Sequence, residues 1–424
     1  MPLGGREFKQ AMDWNFGDLF DAAGDAISGD TPALVHGTRT ITWAEFTRRT
    51  NNLAAQLLAR GARPGDKVAL YMRNCPEYFE GLAVCAKARL VHVNINFRYL
   101  DEELHYILSH SDSRFLVFAG EFADRVGRLR ARLPNIATYV QAHDGRATLP
   151  FAESYDDLAN FGSGASLDLK RSPDDLFFVY TGGTTGMPKG VMWQQNDLWE
   201  ALNRGANLIN GNAWPQSLEE HCENLRTAGR GAVQLCASPL MHGTGLFTSI
   251  ATMGCGGTLV TLPSSRFDPE ELWAAVERNR VQLIVLVGDP FSRPMLHALD
   301  EQPNAYDLSS LVAIISSGAM WSSEVKEGLI RHHRSLVLVD SFGSSEALGF
   351  GTSVTTARGT SRGGRFRIGK HCRVFSEGGR EILPGSDELG FIARSGAIPL
   401  GYYKDTKKSA ETFPTINGVR YAIP

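Results

Sequence analysis

One alternation, repeated along most of the chain, constrains the fold more than any other feature. A short apolar, β-branched run is followed by a segment whose apolar residues recur at helical spacing, and then by another run. KVALYM (67–72), VHVNI (91–95) and RFLVFA (114–119) read as buried strands. PEYFEGLAVCAKA reads as a helix with Pro76 at its start. LDEELHYILSH reads as another, with Asp101 as its cap and Leu104, Ile107 and Leu108 on one face. The rhythm resumes in GTLVTL, VQLIVLV, LVAIISS and SLVLVDSF. FDPEELWAAVERNR among them is a helix with Asp268 as N-cap and Pro269 in its first turn, and further helices start near Pro290 and Ser322. Such alternation predicts an α/β fold of two doubly wound, mostly parallel sheets with flanking helices. From about Arg365 the pattern turns to short strands with Gly-rich turns, as in RVFSEGGREIL, ELGFIARSG and LGYYKD, which predicts a small β-barrel or antiparallel sheet. The polar segment 210–231 reads as an excursion or a loop-helix insertion.

The 424 residues exceed one ordinary core. Subdomains are expected at about 1–170, 171–340 and a β-rich 341–424. A net charge of −3 gives no electrostatic case for a nucleic-acid partner, so small-molecule chemistry is the expectation. Six cysteines are scattered without Cys-x-x-Cys or zinc spacing, which suits reduced thiols in a cytoplasmic protein. The N-terminus has no apolar signal core, and no apolar run is long enough to span a bilayer. Peripheral membrane contact is left open.

The stretch YTGGTTGMPKGV (180–191) is too rich in glycine to form a core. DLFFVY before it reads as a strand and NDLWEALNRGANL after it as a helix, so the loop is expected at a strand-to-helix turn, where phosphates commonly bind. Glycines let backbone N–H groups converge, hydroxyls add donors, and a lysine offsets phosphate charge. The nucleotide-triphosphatase P-loop does not fit, because Lys189 follows Pro188 and precedes Gly190. The dinucleotide fingerprint fails too, since Gly183 and Gly186 lack a first glycine at the right spacing. Two readings remain: a longer Thr/Gly clamp on ATP, and a flexible surface loop.

This stretch closely resembles the phosphate-binding signature of the adenylate-forming superfamily, which includes AMP-forming acyl-CoA synthetases, luciferases and the adenylation domains of peptide synthetases. ITWAEF, GLAVCAKARLVHVNINFRYLDEELHYIL, SPLMHGTG, SSGAMWS, DSFGSSE and DELGFIARSGAIPLGYYKD match further family segments in order, over nearly the whole chain. The resemblance implies ATP-dependent activation of a carboxylic acid to acyl-AMP with release of pyrophosphate, then thioester formation with CoA. It implies that Thr181, Gly182, Gly183, Thr184, Thr185 and Gly186 hold phosphates, with Lys189 near them. It also implies that Glu346 and Thr181 hold Mg²⁺. Gly318 and Ala319 match the turn against adenine, and Asp340, Ser341, Phe342 and Ser345 match residues lining adenine and phosphate. His242 matches a position beside the carboxylate, as a positioning group or gate. The acyl pocket wall is expected near VGDPFSRPML, with Gly288 and Asp289.

Three departures are visible: Phe342 where the family often has Tyr, Ser345 where it often has Thr, and Gly182 where Ser is common. The sequence stops at NGVRYAIP, where the family continues into a Gly-Asp pair, a hinge and a small domain bearing a lysine that contacts the α-phosphate region. The chain is therefore read as the large N-terminal domain of an adenylate-forming enzyme, without the small C-terminal domain. The substrate is expected to be a fatty or other large hydrophobic acid, since no basic cluster suits a charged one. Two alternatives stand beside this reading. One is an amino-acid or aryl-acid adenylation domain feeding a carrier protein, with Asp289 as the amine partner. The other is a non-catalytic nucleotide or acyl-AMP binding module. A homodimer is expected by family analogy alone.

Overall fold

The computed structural model describes residues 14–182, 186–202, 215, 217–227, 229–360 and 365–424. Gly183, Thr184 and Thr185 lie outside them. Helix Pro76–Lys87 is buried along its entire length, in keeping with a sequence that carries apolar residues on every side. Burial forces its charged residues into pairs. Glu80 accepts from Arg49 at 2.7 Å and from the Tyr155 hydroxyl at 3.0 Å, and Lys87 Nζ lies 2.8 Å from Asn51 Oδ1 and 2.9 Å from Asp21. The helix packs against helices Phe16–Ala26 and Trp43–Ala59 and touches strands of both main sheets.

The first sheet is wholly parallel, in the order Val91–Asn94, Lys67–Tyr71, Ser113–Ala119, Thr138–Ala142, Glu153–Ser154. The larger sheet has a parallel centre, Thr258–Thr261, Val233–Cys236, Leu283–Leu286, Ala313–Ser317 and Val337–Ser344. Antiparallel strands close both of its ends. Ala347–Thr356 lies beside Val337–Ser344, and the hairpin Pro32–His36/Arg39–Thr42 lies beside Thr258–Thr261. Residues 32–42 thus belong with the larger sheet, so a cut near residue 170 would divide it.

The glycine loop departs from the expectation in its surroundings. Lys189–Gln194 is a strand, antiparallel to Leu176–Thr181 with Thr181 opposite Lys189, and helix Gln195–Ala201 starts only after it. The loop is therefore the tip of a hairpin, not a strand-to-helix turn. Its second strand was hidden because Val191 and Trp193 alternate inward over only a few residues. Gly190 is required there, since a Cβ would come within 2.8 Å of the Tyr180 ring opposite. Gly401–Tyr402, expected in the C-terminal β-rich region, is the third strand of this ribbon. That region otherwise holds the hairpins Cys372–Phe375/Phe391–Arg394 and Thr415–Ile416/Val419–Arg420.

Two smaller readings change. Asp101 is the first helical residue rather than the cap, and Glu103 reaches back to the Leu100 amide at 2.8 Å. Within 210–231 the described part includes helix Leu218–Thr227. Its buried His221 meets the Trp14 and Trp199 rings edge-on and bonds the Gly254 carbonyl at 2.7 Å.

Two asparagines, Asn94 ending a strand of the first sheet and Asn74 in the loop after Lys67–Tyr71, tie these parts together. Asn94 Nδ2 donates to the carbonyls of Tyr180 (2.9 Å) and Met241 (2.7 Å), and Asn94 Oδ1 accepts from the Tyr180 amide (2.7 Å). Asn74 donates to Ser238 O at 2.9 Å and accepts from the Leu240 amide at 2.7 Å. Replacing Asn94 by leucine strands a buried N–H and two carbonyls. Asn94→Leu is expected to lose about 3 kcal/mol or more in urea unfolding; a loss under about 1 kcal/mol would show that these bonds do not hold the ribbon.

Candidate active site

In an open parallel sheet the residues just beyond the carboxyl ends of the strands converge on one crevice. Here the strands ending at Cys236, Ser317 and Ser344 deliver Met241–Thr244, Ser317–Gly318 and Gly343–Ser345 to a single cavity of about 710 Å³. The ribbon adds Thr181 and Gly182, and the first sheet adds Asn94, Asn96 and Tyr99. Hydroxyls, amides and glycine backbone gather at these strand termini. The wall also includes Ala201, Leu202, Ala232, Leu283, Ile315 and Leu348, with Phe247 and Ala251 from helix Gly243–Gly254, beside the polar side chains of Gln234, Thr248 and Thr252. A polar head and an apolar tail can be held together in such a space.

Among the residues singled out from sequence, Thr181, Gly182, His242, Gly318, Ser341 and Ser345 line this cavity. Strand alternation puts Ser341 on the cavity side and Asp340 and Phe342 on the other. Asp340 is buried against Lys326, 3.0 Å from its Nζ. Burial pushes the Asp340 carboxyl above its ordinary pKa, while Lys326 opposes that rise. Phe342 keeps 42% of its surface exposed, beside Phe350 and Phe366, and is not on the cavity wall. His242 immediately precedes helix Gly243–Gly254. His242 is exposed by surface area; partial desolvation by its neighbours, and then the charge of Arg98, lower its pKa from the usual imidazole value, so it is mostly neutral near pH 7.

Ala319, Gly288 and Asp289 are not on the cavity wall. Gly288 has φ +57°, and a Cβ there would come within 2.4 Å of the Met320 carbonyl, so this glycine is fixed by the backbone path. The Asp289 carboxylate accepts from the Ser322 amide at 2.9 Å and from Arg293, joining the starts of two helices. The apolar wall is instead built by helix Gly243–Gly254 and the strands beneath it. GLFTSIATMG was the available signal: an apolar helix directly after the SPLMHGTG segment.

Lys189 and Glu346 stand beside the ribbon. Lys189 Nζ is 3.7 Å from Asp405 and 5.4 Å from the centre of the Tyr402 ring. Glu346 Oε1 accepts from the Tyr402 hydroxyl at 2.8 Å. Trp193 donates to the Ser345 carbonyl at 3.0 Å, pinning the turn that carries Glu346 to the strand that carries Lys189. Among the described residues no three His, Cys, Asp or Glu side chains form a metal cage. Magnesium bound with substrate phosphates needs only one or two protein carboxylates and keeps waters, so a lone Glu346 fits it.

A second cleft, of about 900 Å³, escaped the sequence reading. Arg73, Arg98, Arg125, Arg128 and Arg266 line it against only Glu121 and Asp124. These arginines come from four separate stretches of the chain and form no basic run. Residues 96–99 separate the two spaces, since Asn96 and Tyr99 line the first cavity while Phe97 and Arg98 line the second.

Comparison with known proteins agrees with this geometry. The profile of the AMP-binding enzyme family matches residues 21–403. The chain is 37% identical, over 98% of its length and 76% of the relative's, to a medium/long-chain-fatty-acid–CoA/3-oxocholest-4-en-26-oate–CoA ligase of Mycobacterium marinum. It is 36% identical to the 3-oxocholest-4-en-26-oate–CoA ligase of Rhodococcus rhodochrous, covering 97% of this chain and 75% of that one. Among solved structures, a long-chain-fatty-acid-CoA ligase from Archaeoglobus fulgidus superposes with a TM-score of 0.81 at 21% identity, covering 97% of this chain and 81% of that one. The N-terminal domain of FACL13 from Mycobacterium tuberculosis gives a TM-score of 0.76 at 20% identity, with 97% and 99% covered. Motifs, fold and relatives agree: the chain belongs to the AMP-binding enzyme family, in the adenylate-forming superfamily.

Proposed function

We propose that this protein activates a large hydrophobic carboxylic acid with ATP and passes the acyl group to CoA. The observation that carries this reading is the composite cavity, which joins hydroxyls and glycine backbone at the strand termini to apolar side chains such as Phe247, Ala251, Leu283 and Ile315. In the first half-reaction a carboxylate oxygen attacks the α-phosphorus, the bond to the bridging oxygen breaks, and pyrophosphate leaves. In the second, the CoA thiolate attacks the acyl carbon and AMP leaves.

Residue roles follow from position. Thr181, Gly182 and Lys189 flank the hairpin tip and are assigned to the β- and γ-phosphates. Gly183, Thr184, Thr185 and Gly186 complete that assignment by resemblance. Glu346, with Thr181, would hold Mg²⁺, which would supply charge neutralisation at the phosphates. Gly318, Ser341 and Ser345 border the nucleotide, and Phe342 is assigned to adenine by resemblance alone. His242, neutral at physiological pH, can orient the acid carboxylate by hydrogen bonding without adding charge. CoA carries several phosphates, and the arginine cleft across residues 96–99 suits them. The engagement of Asp289 with Ser322 and Arg293 removes the carboxylate that an amino-acid substrate would need. The C-terminal domain expected by resemblance, like a homodimer and a cytoplasmic setting, forms part of this proposal. Among the described residues no helix is long and apolar enough to cross a membrane.

Pyrophosphate release, assayed over medium-chain, long-chain and steroid side-chain acids with and without CoA, tests the activity itself. Thioester is expected from apolar acids, and its absence with every acid would overturn the ligase reading. The double variant Lys189→Ala/Glu346→Ala should lower acyl-AMP formation by about 100-fold or more with an unchanged melting temperature; an unaffected rate would remove both residues from the site. Ala251→Phe, which adds bulk among these apolar side chains, should cut the ratio of long- to medium-chain kcat/KM by about tenfold. A uniform loss across chain lengths would place the acyl tail elsewhere. Arg128→Ala with Arg266→Ala should raise the KM for CoA by about tenfold while the first half-reaction keeps its rate, and an unchanged KM would empty the arginine cleft of that role.

A further inference from the structure

Tyr402 stands between the two side chains assigned above to phosphate and metal; it lies in the segment DELGFIARSGAIPLGYYKD, to which no site role was given. Its backbone pairs with the ribbon, Gly401 opposite Met192 and Tyr402 opposite Val191. The neighbouring bonds Leu400 N to Met192 O and Tyr403 N to Gly190 O, both 2.8 Å, extend that pairing along the strand that begins at Lys189. Strand alternation then separates two adjacent tyrosines. Tyr403 turns to Asp112, to which its hydroxyl donates at 2.7 Å. Tyr402 turns to the site, where its hydroxyl meets Glu346 Oε1 at 2.8 Å and its ring lies 5.4 Å from Lys189 Nζ.

The ring is held firmly. Ser409 Oγ accepts from the Tyr402 amide at 2.8 Å, Phe413 packs on the ring at 5.8 Å, and only 7% of the residue is exposed. A phenol that donates to one carboxylate oxygen fixes the rotation of the group and directs the other oxygen elsewhere. A ring face beside an ammonium holds that cation without neutralising it.

We propose that Tyr402 is a positioning residue that sets Glu346 for a divalent cation through its hydroxyl and seats Lys189 for phosphate through its ring face. The inference rests on the nucleotide reading given above. It separates the two functions of one side chain, and two substitutions distinguish them. Tyr402→Phe keeps the ring and removes only the bond to Glu346. Tyr402→Leu removes both.

ATP binding to the 424-residue chain is measured by calorimetry with and without Mg²⁺, and the Mg²⁺ concentration for half-maximal ATP binding is recorded. Tyr402→Phe should raise that concentration by about tenfold, the scale of losing a partner behind a metal ligand, and should leave metal-free ATP affinity and melting temperature unchanged. Tyr402→Leu should weaken metal-free binding as well, by about threefold to fivefold. In a Glu346→Gln background, Tyr402→Phe should add nothing further, since the bond it deletes serves the carboxylate. An unchanged Mg²⁺ requirement in Tyr402→Phe, with the wild type and Glu346→Gln differing as expected, overturns the inference alone. Additive effects in the double variant overturn it too. A wild type that binds no ATP with Mg²⁺ overturns the nucleotide reading first. If Tyr402→Phe melts early, the Glu346→Gln pair is compared at a temperature where both remain folded, and equal shifts in the two backgrounds count against the inference.

Discussion

The carboxamide of Asn94 satisfies three backbone groups at once: both polar groups of Tyr180 and the carbonyl of Met241. Tyr180 is the next-to-last residue of the strand that leads into the glycine loop, and Met241 directly precedes His242. A single buried side chain on the first sheet thus sets the distance between the proposed phosphate grip and the proposed carboxylate site, which come from different parts of the chain. Buried polar groups are expensive when unpaired, so these bonds specify position more than they add stability. Asn74 repeats the arrangement at Ser238 and Leu240, at the other end of the same loop. The two sheets are therefore held by directed bonds where the site forms, and by nondirectional packing around helix Pro76–Lys87 elsewhere.

Much of this was legible in the sequence, for identifiable reasons. Strands such as Lys67–Tyr71 and Leu283–Leu286 are short apolar runs between turns, and helix Pro269–Asn279 carries its own cap at Asp268, which accepts from the Glu270 and Glu271 amides. Such signals are local. What escaped was set by distant partners. Nothing near Pro32–Thr42 says that it will pair with Thr258–Thr261, and nothing near Gly401 says that it will join the ribbon at Met192. The same holds within the site. His242, Ser341 and Ser345 line the cavity because motif and strand end coincide there. Asp289 lies off the cavity wall, its carboxylate bonded to Ser322, a residue in another segment. The arginine cleft was invisible because its cations come from four separate stretches of chain.

The position of the glycine loop has a physical consequence. At a strand-to-helix turn, the helix dipole and its unpaired N–H groups contribute positive potential to a phosphate. A hairpin tip has no such dipole, because antiparallel strands largely cancel theirs. Here the loop's two ends are fixed by the Thr181–Lys189 pairing, and helix Gln195–Ala201 starts beyond the far end of the second strand. Positive charge must therefore be supplied by side chains or a bound cation. Lys189 sits at the base of the hairpin and Glu346 is pinned beside it through Trp193 and Tyr402. On the proposed reading the phosphates would lie at this loop, and a lysine with a carboxylate-held cation would provide the field. Because Asp405 and Tyr402 already engage those side chains, a triphosphate entering the site would draw Lys189 from Asp405, a contact whose 3.7 Å length and part-exposed setting make it weak enough to yield.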